Sequence, residues 1–215
     1  MKTSFRHQGV PYRSQWVDPT FARRIVEDQV DPCLDPGWPT SGFVDAEDYR
    51  FWSRRICGLA CLQSVLEHWQ YERRTTCELL SDALDWGAYV AHADGRVDGL
   101  LYAPFGRWLY SAFGLEVEIL PRNPLEDLIG SVDSEAMVIA SVSTEIRYPA
   151  RENSRRGGHL VLIHGHDQVG VWFHNPSGAT GTQSDVYLEH TEFSRFFARR
   201  GMVIRRQSQG PILLL

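Results

Sequence analysis

CGLACLQSVLEHW, residues 57–69, is the stretch on which the fold turns. Leu59, Leu62, Val65, Leu66 and Trp69 recur at helical spacing and make one apolar stripe, the mark of a helix buried along one side. The helix begins near Cys57. A thiol at a helix N-terminus faces unpaired backbone N–H groups and the positive end of the helix dipole, both of which favour the thiolate. Gly58 follows directly and gives a substrate carbonyl room to approach the sulfur and a backbone N–H. Cys57 is therefore the candidate nucleophile and Gly58 a candidate substrate contact. A buried core thiol is the alternative for an isolated cysteine.

Outward from this helix the chain changes character twice. Residues 1–49 are rich in Pro, Asp, Gly and aromatics without sustained periodicity, and read as an extended arm with one short helix around Phe21 to Glu27. After the Cys57 helix, Thr75 or Thr76 can cap a second helix carrying Leu79, Leu80, Ala83 and Leu84, and Asp98 can start a third carrying Leu101, Phe105, Trp108, Leu109 and Ala112. Pro104 either kinks this third helix or marks its beginning. Beyond Gly114 come short β-rich runs, LEVEIL, AMVIASV, HLVLIHG, GVWFH, DVYLE and GMVIRR, parted by Gly, Pro, Asn and Asp. Two short helices interrupt them, one after Asn123-Pro124 and one in TEFSRFFARR with Thr191 as cap. Helices followed by strands predict an α+β domain, with a helical lobe over about 50–114, a mostly antiparallel sheet lobe over about 115–215, and one compact unit overall. The apolar end PILLL is expected as an edge segment or a partner contact; the oligomeric state is not legible.

With 43% hydrophobic residues, the 215-residue chain can bury one substantial core. A net charge of −5, with basic residues scattered in short clusters, argues against nucleic acid as a partner. The N-terminal stretch holds no apolar run of signal-peptide type and no segment has the length of a membrane span, so a soluble, cytoplasmic protein is expected. Cys33, Cys57, Cys61 and Cys77 lack the spacing of a disulfide framework and are read as reduced thiols. Cys57 and Cys61 share a helix face but supply only two ligands; Cys61 is read as a small buried hydrophobe. Neither a cofactor nor a metal is expected.

The base must come from elsewhere in the chain, because nucleophile and histidine are neighbours in space rather than in sequence. Of eight histidines, His159 opens the apolar run HLVLI directly after Gly157-Gly158, at a strand end where a side chain can face a cleft. Asn175 ends the next run, in FHNPSG, where a hairpin would bring it to the imidazole. A turn residue is the alternative for Asn175. Arg54 and Arg55 precede Cys57, and RYPARENSRRGG carries Arg151, Arg155 and Arg156 toward His159. Arg155, Arg156 and Gly158 are thus candidate substrate contacts, the arginines as a cationic rim for a carboxylate or phosphate, with a solvated loop as the alternative. HGHD and His174 raise a metal site, but packed histidines fit the pattern better.

Four motifs together resemble the papain-fold cysteine peptidases related to the bacteriocin leader-processing (double-glycine) peptidases, in the stand-alone branch without a transporter. They are VPYRSQW at 10–16, RICGLACLQSVLEHW, VDGLLYAPFGRWLYSAFGLEVEIL, and GGHLVLIHGHD followed by VWFHNPSG. The resemblance runs discontinuously from Val10 to about Ile204. It implies a papain-like fold, a Cys57-His159-Asn175 triad, and Gln15 as an oxyanion donor carried on the arm. About forty residues separate Gln15 from Cys57, and Asn175 stands where many members have Asp. The leading reading is a cysteine peptidase or amidase acting on a peptide or acyl-amide substrate. A thiol acyltransferase using a carrier or thioester, and a non-catalytic binding module, are the alternatives.

Overall fold

In a computed structural model, residues 4–207 are described; the expectation placed on PILLL lies outside them. The helices are α1 (Ala22–Val26), α2 (Ala46–Ser53), α3 (Cys57–His68), α4 (Thr76–Asp85), α5 (Tyr102–Phe113), α6 (Leu125–Ile129) and α7 (His190–Phe196). The strands are β1 (Phe5–Arg6), β2 (Tyr89–Ala91), β3 (Val97–Gly99), β4 (Leu115–Leu120), β5 (Ala136–Ser143), β6 (Gly158–His166), β7 (Gly170–His174), β8 (Val186–Glu189) and β9 (Phe197–Arg206). Helices come first and an antiparallel sheet second, an α+β arrangement.

The main sheet has the order β4-β9-β5-β6-β7-β8. β5 pairs with β6 only as far as Ile163, and β1 takes up the freed edge beyond it, with Phe5 opposite His166 and Arg6 opposite Gly165. Every residue of β5 is buried, because both sheet faces are covered, and this explains its unbroken apolar run. Met137, Ile139, Leu160, Leu162, Met202 and Ile204 face the core under α1 to α5. Val138, Ala140, Val161, Ile163, Phe173 and Val203 face a second core under α6 and α7. In α3, Leu59, Leu62, Val65 and Leu66 are all within 2% of full burial, worth about 2 kcal/mol each relative to exposure. That stripe seats the helix on β6 and fixes where its N-terminus points.

Several local expectations are corrected. In the arm, the short helix expected around Phe21 to Glu27 is α1, but the arm is less extended than expected: it also holds 3-10 turns at Pro19–Phe21, Pro32–Leu34 and Trp38–Thr40 and the start of α2, where Asp45 accepts a hydrogen bond from the Asp48 N–H. Trp16, Phe21, Ile25 and Tyr49 enter the main core. Asp98 starts no helix; it lies in β3, in a small hairpin with β2, and α5 begins at Tyr102 with Pro104 in its first turn. Thr191 lies inside the first turn of α7, whose cap position is Glu189. The residues Phe197 to Arg200 belong to β9. Thr75 caps α4, forming a reciprocal capping box with Glu78. Among the described residues no helix is long and apolar enough to cross a membrane.

Candidate active site

Cys57 is the first residue of α3, and Ile56 at the cap position offers no side-chain acceptor. The cap leaves the opening backbone N–H groups directed past the helix end. Gly58 is buried and does not itself line the cavity that Cys57 borders, and a Cβ there would sit 3.0 Å from the terminal methyls of Leu100 and Leu160, so any larger residue would have to push these side chains aside. Burial pushes the Cys57 thiol up, while the backbone N–H groups of Leu160 and Gly58 and the Arg147 cation work against that shift. Cys61, one turn on, is fully packed and directs its thiol at the Leu160 carbonyl, 3.8 Å away.

His159 enters from β6, where it pairs with Val142 of β5, and is 4% exposed. Its Nε2–H donates to Asn175 Oδ1 at 2.7 Å. The Ser177 backbone N–H donates to the same oxygen at 3.3 Å, which fixes the amide orientation, since a flipped Asn175 would set donor against donor. Nε2 therefore carries the proton and Nδ1 keeps a free lone pair. Burial, and after it the Arg147 guanidinium, brings His159 down to about 3, against the opposing effect of its bond to Asn175. Both shifts favour the neutral thiol and the neutral imidazole.

Gln15 reaches this place through the arm. The Gln15 N–H and the Ser14 hydroxyl both donate to the Pro176 carbonyl, and the Tyr12 hydroxyl donates to the Asn175 carbonyl. The VPYRSQW segment is in this way docked on the Asn175-Pro176 turn. Gln15 is 5% exposed and donates one Nε2 proton to the Ser53 carbonyl at 2.9 Å, leaving the second free.

Gln15, Cys57, Gly158 and His159 line one cavity of about 530 Å³. Its apolar wall comes from Val97, Leu100, Leu101 and Leu160, and the β2–β3 hairpin supplies part of it. Asn175 stands behind His159, fully buried. Arg155 and Arg156 are exposed and do not line the cavity, which corrects their expected role; Arg54, Arg55, Arg147 and Arg200 do line it. Sequence reading overlooked Arg147, Arg200, Tyr89, Tyr102 and Ser177. Arg147 opens the basic loop already singled out, and Ser177 lies within FHNPSG, but nothing local separates them from their neighbours.

His164, His174 and Asp185 bring ligand-type atoms within 4.8 Å of one another. His174 donates through Nε2 to the Val10 carbonyl and accepts the Asp185 N–H at Nδ1, so its lone pair is committed. Asp185 is held by Arg6 at 2.7 Å. What remains for a cation is His164 and part of one carboxylate, too few ligands for a closed site.

No family model matches the chain, and no curated protein does. Among solved structures it is similar to a double-glycine motif protease from an AMS/PCAT transporter in complex with the leader peptide, with a TM-score of 0.47 and 18% identity over 70% of this chain and 84% of that one. It is similar to the peptidase domain of Streptococcus ComA, a bifunctional ABC transporter of a quorum-sensing pathway, with a TM-score of 0.48 and 12% identity over 71% of this chain and 93% of that one. A Bacillus anthracis chain described as a C39-like peptidase gives a TM-score of 0.48 and 11% identity over 96% of this chain and 99% of that one.

Proposed function

We propose that this protein is a papain-like cysteine peptidase or amidase. The observation that carries the reading is the bond from His159 to Asn175 Oδ1, which frees Nδ1 as a base in the cavity that Cys57 also lines. Nδ1 takes the thiol proton as the sulfur bonds to the substrate carbonyl carbon, whose oxygen becomes an oxyanion. The free Nε2 proton of Gln15 and the Cys57 backbone N–H stabilise that charge. His159 then gives its proton to the leaving amine as the C–N bond breaks, forming a thioester on Cys57. A water, deprotonated by His159, attacks the thioester and releases the acid and the thiol. An amine in place of water would make the same intermediate a transferase, so the acceptor distinguishes the two outcomes.

A peptidyl acyloxymethyl ketone tests the reading. Under reducing conditions it labels Cys57 of the wild type and not of His159→Ala. A wild type left unlabelled at Cys57 would refute the catalytic reading in favour of a binding module. Mass analysis of products formed with and without an added amine separates hydrolysis from transfer.

A further inference from the structure

The cavity is lined by four arginines, Arg54, Arg55, Arg147 and Arg200, and by no Asp or Glu, in a protein whose formal charge is −5. Among the described residues, none of the four forms an ion pair with a carboxylate. Arg54 donates to the Val30 carbonyl, Arg55 to the Phe51 carbonyl and Arg200 to the Ser141 hydroxyl. Arg147 donates only to the Ser177 carbonyl and hydroxyl. It is mostly buried, and burial lowers its pKa. Outside the cavity several arginines are paired, as Arg6 is with Asp185, Arg74 with Asp82, Arg205 with Asp133 and Arg206 with Glu135, and those without an ion pair among the described residues, such as Arg24, Arg107 and Arg122, are exposed to solvent. A desolvated guanidinium without a counter-ion is costly, and a concave wall of one sign concentrates ligands of the other.

We infer that the cavity takes an acyl substrate bearing an anionic group, a carboxylate or phosphate, held by Arg147 and Arg200 close to the scissile carbonyl. This deepens, and rests on, the reading of Cys57 as nucleophile. Arg147, Arg200 and Cys57 line the same cavity, with Arg147 anchored on Ser177 and Arg200 on Ser141, so both cations share the space a substrate bound at the sulfur would enter. The apolar wall of Val97, Leu100 and Leu101 is left for the remainder of the acyl chain.

Iodoacetate and iodoacetamide differ in charge and little in size, so the ratio of their alkylation rates at Cys57, mapped by mass spectrometry and divided by the same ratio for N-acetylcysteine, reads the anion site separately from thiol reactivity. The expected ratio is roughly tenfold or more in favour of iodoacetate, falling toward one in Arg200→Gln and Arg147→Gln. If Arg147 serves only the thiolate, both reagents gain equally, the ratio stays at one and the inference is overturned, with the nucleophile reading intact. Inorganic phosphate gives a second readout that does not use Cys57. It should raise the melting temperature of the wild type and not of Arg200→Gln; equal shifts, or none in either, overturn the inference whether or not Cys57 reacts.

Discussion

At the scale of residues, the proposed chemistry depends on which nitrogen of His159 is free. Asn175 Oδ1 and the Ser177 N–H together fix Nε2 as the donor, so changing Asn175 acts on the base without touching the thiol. Asn175→Ala should slow Cys57 labelling by at least about tenfold by releasing the ring. Asn175→Asp keeps an acceptor and adds a negative charge, which raises the His159 pKa from about 3 and favours the charged imidazole. Its labelling at pH 6 to 7 should equal or exceed that of the wild type. Labelling of the aspartate variant as poor as that of the alanine variant would contradict the assignment. Gly58 makes a different demand. The missing Cβ leaves space that Leu100 and Leu160 would otherwise contest, so Gly58→Val should slow labelling by narrowing the cavity, as read by the same probe, while circular dichroism shows the helix retained.

At the scale of elements, the arm is what completes the candidate site. Asp35, fully buried, accepts from the Tyr49 hydroxyl and the Gly37 N–H, and the Tyr49 oxygen in turn accepts the Val17 N–H two residues beyond Gln15. Asp35→Ala would strand these donors at a cost of about 3 kcal/mol and free the arm, so urea denaturation should show the loss and labelling of Cys57 should fall with it. Loss of stability with undiminished labelling would show that the arm does not position Gln15. The sequence discloses α3, the capped α4, the six later strands and the pairing of His159 with Asn175, because each rests on a long apolar period or a strong punctuation signal. It hides the β2–β3 hairpin, whose strands are three residues each and too short to show alternation. It hides α2 as well, since Asp45 is one of many acidic and aromatic residues in a stretch without period. The docking of VPYRSQW on Asn175-Pro176 crosses some 160 residues and leaves no local trace except in the resemblance. Arg147 ends a 3-10 turn at Thr144–Arg147 and Arg200 lies in β9, positions distant in sequence that no local run of basic residues joins.

At the scale of the whole molecule, burial lowers the pKa of several histidines packed on or against the sheet, His159 and His164 to about 3 and His7, His68 and His174 in the same direction. Because the unfolded chain takes up these protons near pH 6.5 and the folded chain only at lower pH, their contribution is complete above pH 6.5 and is lost as the pH falls, for His159 and His164 toward 3. For these two the loss should be roughly 2 kcal/mol each by pH 5. Urea denaturation at pH 7 and pH 5 measures it, and His164→Leu should reduce the difference by about 2 kcal/mol; an unchanged difference would contradict the assignment. The fold's main work is to bring the first turn of α3, the start of β6 and the docked arm to one cavity, with the turn after β7 behind His159. The claim that rests most directly on this assembly is that His159 activates Cys57, and the rate of iodoacetamide modification of Cys57 as a function of pH tests it. In the wild type the rate at neutral pH should exceed that of His159→Ala by about tenfold or more and rise further with pH, as the raised thiol pKa requires. Coincident profiles for the two proteins would contradict it.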